Sequence, residues 1–219
     1  MGENAGKVLL LDDDESVLRS LRRLLSASGY LVTVYRDARA FLASEDLNTA
    51  DCVILDLGLP DSDGFRVQEA LAAAGGSQSI VFLTGRGDIP ASVRAMKAGA
   101  VDFLTKPVEA ETLLAAVNVA RQRARSWRET EEKKASVVRR LESLTARETQ
   151  VMHLVVAGLL NKQIAADLGT VEKTIKVHRG RMMAKLGVRT VADLVRLVAV
   201  ADPPAGGIGP KSNYDQPGP

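Results

Sequence analysis

The chain has 219 residues, 46% of them hydrophobic and 26% charged, with a formal net charge of +2. This balance supplies enough apolar side chains for buried cores and excludes wholesale disorder, and the length fits two small domains better than one. No apolar run approaches the roughly 18 residues that cross a bilayer, the opening MGENAGK has neither an apolar signal core nor Ser or Thr at position 6 for myristoylation, and the single cysteine, Cys52, excludes an internal disulfide or a cysteine-based zinc site.

A cytoplasmic protein with no membrane partner is the expectation. Charge is unevenly spread: residues 1–125 carry 14 Lys/Arg against 17 Asp/Glu, whereas residues 126–200 carry 14 against 8. An acidic half joined to a basic half points to one part that handles a cation and another that handles a polyanion.

Taken in chain order, apolar runs at 7–12, 30–35, 51–56, 79–84 and 101–104 read as strands. Amphipathic stretches separate them, marked by Leu18, Leu21, Leu24 and Leu25, then Phe65 and Leu71, then Val93 and Met96, then Leu113, Leu114 and Val117. Such alternation predicts an α/β unit, a (βα)5 doubly wound parallel sheet with helices on both faces. Glycines at 29, 75, 76 and 99 fall where helices should stop. From 122 to 140 the text is charged and free of Pro and Gly, a helical or flexible linker. Beyond it only helical patterns occur, at about 145–157, 161–168, 172–186 and 190–200. The proline- and glycine-rich end reads as a disordered tail. The expected divisions are therefore 1–122, a linker at 123–141, a small all-α four-helix unit at 142–201, and a tail at 202–219.

In an open parallel sheet, ligands collect at the carboxyl ends of the strands. Those ends here carry Asp12, Asp13, Asp14, Asp56 and Thr84, with Lys106 after the fifth strand. Several carboxylates in one cleft repel unless a cation joins them, and Mg2+ suits an oxygen-donor set. The run DDDE also suits the start of the next helix, where negative charge is favourable. A carboxylate beside Mg2+, a hydroxyl and a lysine is equipment for phosphoryl transfer: Asp56 attacks in line, Mg2+ and Lys106 neutralise the equatorial oxygens, and Thr84 bonds the arriving group. Asp61 and Asp63 read as shaping the turn around Pro60 and Gly64, and Cys52 as a small core residue.

The stretches LLLDDDES, VILDLGLPDSDG, IVFLTGRGD and AGAVDFLTKPV resemble the motifs of the receiver domain of bacterial two-component response regulators, over residues 5–125. That resemblance implies a flavodoxin-like receiver with Asp56 as phosphate acceptor. It makes Asp12, Asp13, Asp56 and the Gly58 carbonyl the Mg2+ ligands, Thr84 and Phe103 a switch pair, and Lys106, before a cis Pro107, the phosphate-contacting lysine. Turnover would be limited to Mg2+-dependent self-phosphorylation and self-dephosphorylation. Arg86, two residues after Thr84, is a candidate shield for the phosphate.

Residues 144–197 resemble the LuxR-type helix-turn-helix of the NarL/FixJ response regulators. The resemblance rests on Leu144-Thr145, Arg147-Glu148, Asn161-Lys162, Ile164-Ala165, Lys173-Thr174, Lys176, His178 and Lys185-Leu186. At 100° per residue, Ile175, His178, Met182 and Leu186 share one stripe, while Lys173, Val177, Gly180 and Arg181 lie opposite. Lys173, Lys176 and Val177 are the candidates for reading bases. Thr174, Arg179, Arg181, Lys162 and Thr190 are candidates for phosphates, which fix register only. Two departures stand out. Val171, preceded by Thr170, occupies the place of the usual Ser or Thr cap, so either Thr170 caps one residue early or the cap is missing; and Gly180 stands where a polar residue is common.

Together the two resemblances, with wording nearest the FixJ branch, imply a transcriptional response regulator. Its expected partners are a sensor histidine kinase, double-stranded promoter DNA, a second copy on phosphorylation, and RNA polymerase. Two other readings remain: DNA binding independent of phosphorylation, and a phosphoryl-transfer protein whose basic half is a non-specific DNA tether.

Overall fold

The computed structural model describes residues 6–60, 62–75, 78–85 and 89–201. Arg86, Asp61 and the tail at 202–219 lie outside them. The chain runs β1 (Lys7–Leu11), α1 (Glu15–Ala27), β2 (Leu31–Tyr35), α2 (Ala38–Leu42), a 3-10 turn (Glu45–Thr49), β3 (Cys52–Leu55), α3 (Gly64–Ala73), β4 (Ser79–Thr84), α4 (Ile89–Lys97) and β5 (Asp102–Thr105). A long α5 (Ala110–Glu142) then leads to α6 (Ala146–Val156), α7 (Asn161–Asp167), α8 (Glu172–Leu186) and α9 (Val191–Ala201).

The five strands form one parallel sheet in the order β2-β1-β3-β4-β5. Alternation along each strand sorts its side chains onto two faces. Leu9, Leu11, Val53, Leu55, Ile80 and Phe82 meet Phe41, Val67, Leu71 and Ala95 of α2, α3 and α4. Val8, Leu10, Cys52, Ile54, Val81 and Leu83 meet Leu18, Leu21, Leu25, Leu113 and Val117 of α1 and α5. Covering both faces explains why β3 and β4 are buried along their whole length. The strand order reverses between β1 and β3, and there a crevice opens beyond the carboxyl ends.

The chain divides into two compact units, Met1–Glu129 and Thr130–Pro219, and the division falls within α5. The fifth helix and the linker are thus one helix of 33 residues. Ala116 and Ala120 are buried in the first unit's core, Arg123 donates to the Gly99 carbonyl at 3.3 Å, and Arg128 pairs with Asp51. These ties hold α5 against the sheet's far end past residue 122. Its last turns serve the second unit, where Val137 joins a core of Val151, Met152, Val155, Ile164, Ile175, Met182, Leu186, Leu194 and Leu197. No helix of the described residues is long and apolar enough to cross a membrane.

Candidate functional site

Asp12 and Asp56 each follow the last residue of a strand, β1 and β3, at the reversal point. Their backbones stay in the ladder for one further step: Asp12 N–H donates to the Tyr35 carbonyl at 3.3 Å and Asp56 N–H to the Leu11 carbonyl at 2.9 Å. Both side chains are consequently held at the sheet's edge and nearly covered, with Asp12 4% and Asp56 8% exposed. Asp13 is exposed beside them, and oxygens of the three carboxylates lie within 4.8 Å of one another. Lys106 reaches over from β5, its Nζ 2.6 Å from Asp12 Oδ2 and 3.4 Å from Asp56 Oδ2. The Lys106–Pro107 peptide bond is cis.

Burial pushes the Asp12 carboxyl above its ordinary value, against the pull of Lys106 and of the Asp14 N–H. For Lys106 burial acts the other way, but the hydrogen bond to Asp12 and the charge of Asp56 outweigh it and leave the ammonium more firmly protonated than usual. The pocket thus sets one fixed cation against two shielded anions, with a third at the rim. The acidic run serves both of its sequence readings, at different residues. Asp12 and Asp13 face the crevice, whereas Asp14 caps α1 by accepting from Ser16 N–H at 2.7 Å and Val17 N–H at 3.4 Å.

Thr84 closes β4, almost fully buried, and its carbonyl accepts from Lys106 N–H at 2.9 Å. Register pairs Phe82 with Phe103 and Thr84 with Thr105, so Thr84 and Phe103 lie on one face as diagonal neighbours. The Phe103 ring is half-buried, 6.0 Å from the Phe82 ring. Gly58 is exposed, and a side-chain carbon there would sit 3.8 Å from Asp56 Oδ2. Gly64 is a further positioning residue that sequence reading treated only as part of a turn. A Cβ at Gly64 would fall 2.6 Å from the Asp56 carbonyl oxygen and 3.0 Å from Leu57 Cα. The first turn of α3, capped by Asp63, therefore presses on the loop that carries Asp56. Only the Asp63-Gly64 pair at a helix start hinted at it.

In the second unit, Lys173, Lys176, Val177, Gly180 and Arg181 are exposed on α8, opposite the buried Ile175, Met182 and Leu186. Thr174 and Arg179 are half-buried. Lys162 is exposed on α7, Arg179 donates to Asn161 Oδ1 at 2.9 Å, and Lys176 pairs with Glu172 at 3.0 Å. Thr190 and Asp193 exchange bonds that cap α9, the hydroxyl at 2.7 Å from Asp193 Oδ2. Val171 occupies the cap position of α8 and makes no side-chain cap bond, so of the two expected outcomes the cap is missing.

Several signature residues are staples. Thr145 and Glu148 form a capping box on α6, Lys185 bonds Glu148 at 2.7 Å, and Arg147 holds the Leu168 carbonyl at 2.8 Å. The Lys185 ammonium and the Thr145 donors bring the Glu148 carboxyl down to about 2.

The sequence model of the response regulator receiver domain matches residues 8–118, and that of the bacterial regulatory proteins of the luxR family matches residues 142–198. Nodulation protein W of Bradyrhizobium diazoefficiens is 44% identical over 190 residues, covering 87% of this chain and 84% of that protein. The response regulator protein TodT of Pseudomonas putida is 40% identical over 90% of this chain and 87% of its own, and the transcriptional regulatory protein FixJ of Azorhizobium caulinodans 37% over 89% and 92%. Among solved structures, the response regulator StyR superposes with a TM-score of 0.79 at 43% identity, covering 89% of this chain and 98% of that one. Full-length FixJ from B. japonicum gives 0.56 at 37% identity, covering 91% and 98%.

Proposed function

Because this chain belongs to the response regulators that join a receiver domain to a LuxR-type helix-turn-helix, we propose that a phosphoryl group taken up by Asp56 controls how α8 engages promoter DNA. The single observation that carries the reading is Lys106 bridging Asp12 and Asp56 inside a three-carboxylate crevice at the strand-order reversal. An oxygen of Asp56 bonds to phosphorus as the bond to the donor breaks. With a histidine kinase as donor, the P–N bond leaves its electron pair on the imidazole, which then takes a proton from water. Lys106 faces the equatorial oxygens and Thr84 donates its hydroxyl to the group once attached.

Asp12, Asp13 and Asp56 are clustered hard oxygen donors of the kind Mg2+ takes and would hold the ion, and the carbonyl of Gly58, two residues after Asp56, would be a further ligand. When bound, the ion supplies charge neutralisation for the phosphoryl oxygens. Turnover on the chain's own account is limited to gaining and losing this one group, in the cytoplasm where the kinase and DNA both act.

Drawing Thr84 toward the phosphate opens the space into which Phe103 turns, altering the surface of α4 and β5. That surface carries Ile89, Val93 and Met96, exposed at helical spacing, and is the face on which two phosphorylated copies pair. Pairing is needed because one short helix reads few bases. On DNA, Lys173, Lys176 and Val177 meet base edges, while Thr174, Arg179, Arg181, Lys162 and Thr190 contact or flank the phosphates.

The test is sedimentation and DNA affinity at one stated salt concentration, with and without Mg2+ and beryllofluoride, for wild type and Asp56→Asn. Dimerisation and tighter sequence-specific binding in the wild type alone are expected. An unchanged wild type sinks the switch and leaves a DNA-binding protein with another input.

A further inference from the structure

Glycine is the least favourable helix-interior residue after proline, so one in mid-helix calls for a reason. Gly29, Gly75, Gly99, Gly158, Gly169 and Gly187 have positive φ. Gly6 and Gly64 leave room for neighbours that a Cβ would meet at 2.9 and 2.6 Å. Gly180 has neither reason. It lies in the interior of α8, its φ is not positive, and a Cβ there would meet nothing within 4 Å. Among the described residues nothing requires a glycine at that position.

What surrounds Gly180 on the surface is specific. Val177 and Ala184 lie one turn to either side, both exposed, and Lys173, Lys176 and Arg181 border them. The row is shallow at its centre and cationic along its margins, the relief that suits a helix laid into a groove walled by phosphates. We infer that Gly180 is the point where the α8 backbone comes closest to the floor of the DNA major groove, and that its missing side chain is a specificity determinant. The inference rests on α8 being the groove-reading helix and goes beyond it. It assigns a reading role to a position with no side chain, through the base edges that can be tolerated against bare backbone.

The experiment selects a consensus duplex from a randomised pool with the full-length wild-type chain treated with beryllofluoride and Mg2+. Affinities of wild type, Gly180→Ala, Lys173→Ala and Lys176→Ala are then compared on that duplex and on a random duplex of equal length. Gly180→Ala should raise the unfolding temperature of the second unit and yet weaken binding to the selected duplex about tenfold or more, with random-duplex binding little changed. Re-selection with the variant should shift the preference at one base position. If Gly180→Ala is more stable and binds the selected duplex like wild type while the lysine variants bind it less well, the glycine inference is overturned and the α8 reading stands. If the lysine variants also bind like wild type, the α8 reading falls with it.

Discussion

The crevice of the first unit and the exposed face of α8 hold their working residues in opposite ways. Asp12, Asp56 and Lys106 are drawn from three strand ends, are mostly covered, and touch one another. Lys173, Lys176, Val177 and Arg181 come from one helix and are open to water, Lys176 pairing with Glu172 one turn back on the same helix. In the crevice Lys106 is held by both carboxylates while Asp12 and Asp56 repel each other, so removing one charge disturbs the rest and effects will not add. On α8 each side chain should act nearly alone, with effects that add and that fade with salt.

Breaking the crevice should show the larger effects. Lys106→Ala leaves two shielded carboxylates without their cation, and thermal or urea unfolding should find the first unit weaker by about 3 kcal/mol at neutral pH. Added Mg2+ should recover part of that loss, and a variant as stable as wild type would mean that the ion pair contributes little. Gly64→Ala pushes a methyl into the backbone of the Asp56 loop. A loss of about 2 kcal/mol is expected, with slower labelling by acetyl phosphate even where the protein is fully folded. Normal labelling would show that the loop yields without moving Asp56.

The second unit offers two gentler changes. Glu148 has its folded-state value depressed to about 2, so its stabilisation is fully present above the ordinary carboxylate value of 4.5 and is lost as pH falls through about 2. An acid titration of thermal midpoints should show this slope in wild type and not in Glu148→Gln, which also starts from a lower midpoint. Val171→Ser supplies the missing acceptor at the start of α8 and should stabilise the unit by about 1 kcal/mol, read by urea unfolding. A matched affinity for DNA would mark the change as purely structural.

Local pattern made most of the frame legible. Short apolar runs placed all five strands, and helical spacing the four C-terminal helices, to within a residue or two, because strands covered on both faces are apolar throughout and a helix's period is set by backbone geometry. Short, dense motifs likewise identified the acidic cluster, the lysine and the two domains. The missing cap at Val171 was one of two outcomes left open, since a side chain one residue earlier is a matter of local geometry that spacing does not fix.

Tertiary structure decided what depends on distant parts of the chain meeting. It split the acidic run, giving Asp12 and Asp13 to the crevice and Asp14 to the cap of α1, because the ladder carries the chain one step past β1 before it turns. It pressed Gly64 against the Asp56 loop. It also tied α5 to the first unit beyond residue 122, where Arg128 pairs with Asp51, far back in sequence. The sequence by itself determined which residue types the chemistry has available and which face of each element is apolar. Only the fold brought Lys106 within 2.6 Å of Asp12, 94 positions away, because contacts across such separations depend on how strands are ordered in the sheet and leave no period in the text.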